Sequence, residues 1–226
     1  MNSVALPAMN SFINFNFKDN NFLLTSGRSI FWEEKKILIL SDLHLGKAGH
    51  FRKAGIGIPQ TIFKEDMQRL VSQIQYFKPT TVLVVGDLFH STQNKEHELF
   101  LKWRKDLPAV SIQLVKGNHD ILEENWYRSA CIDVQHKELV IGNFLFTHDI
   151  ASAKKTKQQY CFSGHVHPGV IMNGTGKQSL QLPCFYFGKE FAVLPAFGKF
   201  TGTYPVTPGK GDHVFVLIED RVMKVL

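Results

Sequence analysis

SIQLVKGNHD, residues 111–120, is the stretch on which the fold turns. Ser111 to Val115 is apolar and β-favouring, and the run stops at Gly117. Asn118, His119 and Asp120 then stand side by side. Gly and Asn are common turn residues, so the stretch alone is either a plain turn or a reactive site on a strand tip. Its neighbours along the chain separate the two.

Four other apolar runs end in the same way. KILILSD (36–42) leads to Asp42-Leu43-His44, and TVLVVGD (81–87) leads to Gly86-Asp87. NFLFTHD (143–149) leads to His148-Asp149, and QYCFSGHVH (159–167) to Gly164-His165-Val166-His167. In open α/β sheets, ligands collect beyond the carboxyl ends of the strands. Five such ends bring together groups spread over more than a hundred residues. Gly86, Gly117 and Gly164 each precede a candidate ligand, which lets the backbone turn sharply and leaves room for an ion.

The segments between these runs are helical. From Pro59, the residues Phe63, Met67, Leu70, Val71, Ile74 and Phe77 recur at three- and four-residue steps, until Lys78-Pro79. Asn94 to Leu107 reads as a second helix with Leu99, Trp103 and Leu107 on one side, and 121–130 as a short third. Residues 22–32 read as two strands about Ser26-Gly27. The first half therefore favours a parallel sheet. From about residue 185, glycine-punctuated segments such as FAVLPAF and GDHVFVLI favour antiparallel pairing. No linker divides the halves, so one domain, 1–226, holding two packed sheets is expected.

Of 226 residues, 44% are hydrophobic and 20% charged, enough for a substantial core. The apolar runs fall short of the ~20 residues that cross a bilayer. MNSVALPAMNSFINF lacks the basic start and continuous apolar stretch of a secretory signal, so a soluble, cytoplasmic protein is expected. Cys131, Cys161 and Cys184 form no metal-binding pair or disulfide framework and are expected as buried thiols. A formal charge of +6 favours a polyanionic partner such as nucleic acid. The densest basic run, Lys154-Lys155-Thr156-Lys157, reads as a solvated loop.

The series DxH, GD, GNHD, H, GHxH resembles the calcineurin-like metallophosphoesterases. Three segments, SDLHLGKAGHFRKAGI (41–56), GDLFHS (86–91) and LPAFGKFTG (194–202), are similar to a narrower group, the bacterial ligase-associated DNA-damage-response endonucleases of the PdeM family. Thr203-Tyr204 departs from that group, where another glycine is expected. The resemblance implies an α/β (α+β) fold, a four-layer α-β-β-α sandwich of two mixed sheets. It implies one ion on Asp42, His44, Asp87 and His167, and a second on Asp87, Asn118, His148 and His165. It also leaves His119 off the metals, over the phosphate, where it stabilises or protonates the leaving oxygen. Association with a DNA ligase or helicase follows from the resemblance alone, and oligomeric state stays open.

The donor chemistry agrees. Two carboxylates, one amide and four imidazoles, without a thiolate, suit manganese, iron or zinc rather than magnesium, calcium or Cys-rich structural zinc. The resemblance points to Mn2+. Two divalent ions bring about +4 and the two carboxylates return about −2, a balance that attracts hydroxide and an anionic phosphate ester. Ions ~3.5–4 Å apart lower the pKa of a bridging water and hold phosphorus for in-line attack. Asp120 either orients His119 or caps the helix after it. Lys47, His50, Arg52 and Lys53 either hold flanking phosphates or form an exposed basic loop. His90 is placed to face the site, and Asp149 to support a neighbour or cap a turn. The expected function is a two-metal phosphodiesterase or endonuclease acting on DNA in repair. The alternatives are a phosphoesterase for a small nucleotide or phosphoprotein, and a non-catalytic scaffold of the same fold.

Overall fold

The computed structural model describes residues 11–226 except 54, 56, 58, 60, 91, 155–158, 175 and 177. The first sheet runs in chain order: β1 (Phe12–Phe17), β2 (Asn20–Thr25), β3 (Ile30–Trp32), β4 (Ile37–Leu40), β5 (Thr81–Val85), β6 (Ser111–Val115) and β7 (Ile132–Gln135). Short turns join β1 to β4, and these strands pair antiparallel. From β4 to β7 the pairing is parallel. A parallel return needs a crossover. α1 (Lys47–Lys53) and α2 (Thr61–Phe77) make the first, α3 (Lys95–Asp106) the second and α4 (Glu124–Ser129) the third.

Strand alternation divides the core. Leu38, Leu40, Val82 and Val84 face the helices and pack with Met67, Leu70 and Ile74 of α2. Ile37, Ile39, Leu83 and Val85 face the other way, into a cluster shared with the second sheet. That sheet contributes Phe144, Phe146, Phe162, Phe185, Phe187 and Phe215.

The second sheet contains β8 (Glu138–Ile141), β9 (Phe144–Thr147), β10 (Tyr160–Ser163), β11 (Pro168–Asn173), β12 (Ser179–Phe187), β13 (Phe191–Val193), β14 (Tyr204–Pro205), β15 (His213–Ile218) and β16 (Arg221–Lys224). Its hairpins are antiparallel, as the glycine-rich text suggests. Its centre is not: β9, β10 and β13 are parallel neighbours. The antiparallel β11–β12 hairpin lies between β10 and β13 in the chain, which makes a long return look like a series of short ones.

Helical cover is one-sided. After α4 the described residues hold only a 3-10 turn, Ile150–Ser152, so the expected helical layer over the second sheet has no α-helix among them. A smaller cluster of Leu182, Cys184, Val214 and Val216 forms there instead, with Val206 packed on it.

Smaller expectations shift as well. α3 turns Glu96, His97, Phe100 and Arg104 inward and leaves Leu99 45% exposed. A capping box of Asn94 with His97 sets this rotation. α4 is shorter than 121–130. Cys161 and Cys184 are buried, but Cys131 is exposed. Most of the Lys154–Lys157 run and residues 1–10 lie outside the described residues. No helix among the described residues is long and apolar enough to cross a membrane.

Candidate metal centre

The carboxyl ends of two parallel sets, β4–β5–β6 and β9–β10, meet at one edge of the paired sheets. Just beyond β4 and β5 the two loops continue the ladder: Asp42 N–H donates to Gly86 O at 3.0 Å, and His44 N–H to Asp87 O at 2.9 Å. The two aspartates have matching left-handed backbones, φ 53° at Asp42 and 52° at Asp87. His44, His165 and His167 are also left-handed, at φ 50°, 67° and 51°. Five of the seven expected ligands thus occupy a conformation that costs a non-glycine residue about 1–3 kcal/mol each. Such strain gathers where function over-determines the backbone.

The side chains form two touching groups. In the first, His167 Nε2 lies 3.2 Å from Asp42 Oδ1 and 3.3 Å from His44 Nε2. In the second, His148 Nε2 lies 3.3 Å from Asp87 Oδ2, 3.1 Å from Asn118 Oδ1 and 3.1 Å from His165 Nδ1. His44 Nε2 sits 3.9 Å from a carboxylate oxygen of each aspartate, so it links the groups. Asp42, His44 and His167 could hold one cation, and Asp87, His148 and His165 another. All seven expected ligands are brought together.

This donor set fits cations. Burial holds His44 down to about 3, so it presents a neutral imidazole toward His167. Facing imidazole nitrogens at this distance need a proton or a cation between them. His148 behaves oppositely. Burial pulls it down, but the hydrogen bond and charge of Asp87 outweigh this and push it up to about 9. Asp87 is held below the usual carboxylate range, because His148 and the His119 N–H outweigh the cost of burial.

The glycines make room for ligands rather than for an ion. A Cβ on Gly86, whose φ is +83°, would lie 2.0 Å from His148 Nδ1, and one on Gly117 would lie 2.2 Å from Asp87 Oδ1. Each strand end is flat where the ligand of a neighbouring strand passes over it.

His119 donates its backbone N–H to Asp87 Oδ1 at 2.9 Å, while its half-buried ring stacks on His90 with centroids 4.3 Å apart. His44 meets the same ring edge-on at 5.4 Å. Asp120 takes neither expected role. α4 starts at Glu124, behind Glu123 as its N-cap, and the Asp120 carboxylate accepts from Phe89 N–H at 3.0 Å and Gly117 N–H at 2.9 Å. It ties the β5 and β6 loops together from beneath. Burial raises it to about 7.

Lys47 opens α1 beside the cluster, and burial lowers its pKa against the pull of Asp42 and Asp87. His50 is exposed, its ring 5.8 Å from that of His90. Arg52, expected either on a flanking phosphate or in an exposed basic loop, is half-buried, and its guanidinium donates to Glu96 Oε1 at 2.7 Å. Glu96 is buried and also accepts Gly46 N–H at 2.8 Å, bracing the first metal loop. Sequence reasoning missed Glu96, for which an acid in a capped first turn is the only signal. Asp149 caps the 3-10 turn through Ala151 N–H at 2.9 Å. The Thr203-Tyr204 departure adjoins the site, since Tyr204 N–H donates to His167 O at 2.8 Å.

A family model described as calcineurin-like phosphoesterase matches residues 35–217. No curated protein matches the chain. Among solved structures, the crystal structure of Pseudomonas putida nuclease MPE superposes with a TM-score of 0.81 at 23% identity, covering 95% of this chain and 100% of that one. At that identity the likeness shows the fold.

Proposed function

The chain belongs to the calcineurin-like phosphoesterase family and is a metal-dependent phosphoester hydrolase; we propose that it is a two-metal phosphodiesterase that cuts nucleic acid, with DNA as its substrate. The observation that carries this is the meeting of Asp42, His44 and His167 with Asp87, Asn118, His148 and His165 at the carboxyl ends of two parallel strand sets. When bound, two divalent cations, Mn2+ on this reading, supply a water of lowered pKa and Lewis-acid polarisation of the phosphate.

The protein's own groups do the rest. His119 lies beside both clusters without being needed by either, so it is free to hold or deliver a proton at the leaving oxygen. Its stack on His90 fixes the ring plane. Lys47 places a cation next to the carboxylates, where a phosphate oxygen would sit. Asp120 holds the loop that carries Asn118 and His119. No serine or cysteine nucleophile is called on. Support for nucleic acid comes from the net charge of +6 and from likeness in fold to a structure titled a nuclease.

The test is a side-by-side assay with manganese on a phosphodiester dye, a phosphomonoester dye and circular single-stranded DNA. Cleavage of the diester and of the circle is expected, with the monoester poorer. Preference for the monoester would overturn the reading. Asp87→Asn should lose bound metal and turnover together; full metal content with normal turnover would remove the bridging role from Asp87.

A further inference from the structure

The segment LPAFGKF (194–200) contributes no metal ligand, yet it is bonded on both of its edges. On one edge, Phe197 N–H donates to Ser41 O at 2.8 Å and Gly198 N–H to Asp42 O at 3.0 Å, beside the Ser41–Ala196 bridge. On the other, three successive carbonyls each receive a guanidinium N–H. Arg28 Nη1 donates to Ala196 O at 3.2 Å and Gly198 O at 3.3 Å, and Arg69 Nη2 donates to Phe197 O. Arg69 also lies over the Phe197 ring, 4.3 Å from its centroid, and pairs with buried Asp66 at 2.7 Å. Asp66 in turn accepts Lys199 N–H at 3.3 Å. A Cβ on Gly198 would lie 2.6 Å from Leu43 O, so the segment lies flat on the metal loop.

We propose that Arg28 and Arg69, with Asp66, are positioning residues for Asp42: they hold segment 196–199 so that its N–H groups fix the Ser41 and Asp42 carbonyls and keep Asp42 in the left-handed backbone that aims its carboxylate at the metals. This rests on the two-metal reading above. Backbone at φ 53° relaxes unless its neighbours over-determine it, and the Asp42 peptide is held from both sides, by Gly86 O on its N–H and by Gly198 N–H on its carbonyl. Two part-buried guanidinium groups, each giving up side-chain freedom, are a costly way to satisfy three carbonyls. Their placement makes sense if the carbonyls must stay where they are. Partners one step behind a metal ligand commonly change metal affinity about 10–100-fold when removed.

Arg28→Ala is the primary variant. Arg28 lines a cavity of about 880 Å3, so its truncation enlarges an existing space. The second is the double variant Arg69→Met with Asp66→Asn, which removes both charges and leaves no buried carboxylate unpaired. Each is dialysed against limiting Mn2+, titrated calorimetrically and melted with the ions chelated. Wild type should bind two ions. The variants should lose about 10–100-fold affinity at one of them, the Asp42 side, keep the other, and melt near wild type. Arg28→Lys, which can still reach one carbonyl, should recover part of the loss. Wild-type affinity at both sites in Arg28→Ala would overturn the proposal, as would an equal loss at both sites tracking a lowered melting temperature. If the double variant does not fold, Arg28→Ala decides alone. Wild type that binds no metal would instead overturn the two-metal reading.

Discussion

Gly117 shows how tightly single residues are tied at this site. An alanine there would put Cβ 2.2 Å from Asp87 Oδ1 and 2.5 Å from Asp87 N, and a backbone nitrogen cannot step aside as a flexible side chain can. Gly117→Ala should therefore displace Asp87 and weaken metal retention on dialysis at least about tenfold, on top of about 1–3 kcal/mol of overpacking. Retention equal to wild type would mean that the β6 loop shifts freely. His148 makes a second residue-scale prediction. With the ions chelated it should carry a proton, since Asp87 pushes it up to about 9. A histidine raised in the folded state contributes stability fully below its unfolded pKa of about 6.5 and loses that contribution as pH climbs through the folded value. The chelated protein should thus lose melting temperature between about pH 6.5 and pH 9. A metal must displace the same proton, so affinity at the Asp87 side should rise about tenfold per pH unit across that window. The Asp42 side should change less, because His44 is already neutral. Calorimetry at several pH values checks both, and equal pH slopes at the two sites would contradict the assignment.

At the scale of elements, what the sequence discloses is set by whether a signal is local. KILIL and TVLVV are apolar throughout and end in ligand-type residues, so strand and site are read in one pass. Parallel pairing of β10 with β13 joins residues about 30 apart across an inserted hairpin, and no periodicity encodes it. The polar flank of α2 is equally silent. Asp66, Arg69 and Gln73 sit among Met67, Leu70 and Ile74, and nothing local marks their partners, which come from far along the chain: Phe197 O for Arg69, Gly27 O for Gln73 and Lys199 N–H for Asp66. Glu96 is hidden for the same reason, since its partners lie on α1 and the loop before it. α3 supplies the prediction at this scale. Asn94 caps it through Glu96 N–H at 2.9 Å and also donates from Nδ2 to Gly46 O at 3.0 Å. Asn94→Ala should cost about 1–2 kcal/mol, seen as a lower urea midpoint at unchanged slope. It should also weaken metal binding, because the Gly46 loop carries His44. A stability loss with wild-type metal affinity would make the cap purely structural.

For the whole molecule, the distribution of charge decides what the net +6 is worth. A cation contributes to nucleic-acid binding only if it can meet a phosphate and release a counterion. Arg28, Arg69 and Arg52 already donate to carbonyls or carboxylates. Lys47 is different: it is half-buried within reach of the charges of Asp42 and Asp87, so a phosphate drawn to the metals would meet it there. The binding of single-stranded DNA should therefore weaken linearly on a log–log plot against salt, with a slope near −0.7 per phosphate neutralised. Lys47→Ala should flatten that slope by about one contact and weaken binding alike for all sequences. Arg52→Ala should leave the slope alone while loosening α1 from α3, because its charge is engaged by Glu96. Fluorescence anisotropy with a labelled, non-cleavable oligonucleotide from 50 to 300 mM salt, about the range over which such contacts are screened, reads all three. If Arg52→Ala flattens the slope as much as Lys47→Ala, the guanidinium leaves Glu96 for the strand, and α1 rather than the cluster mouth is the track the nucleic acid follows. If neither variant nor salt alters binding, the substrate is a small phosphodiester that meets the protein only at the metals.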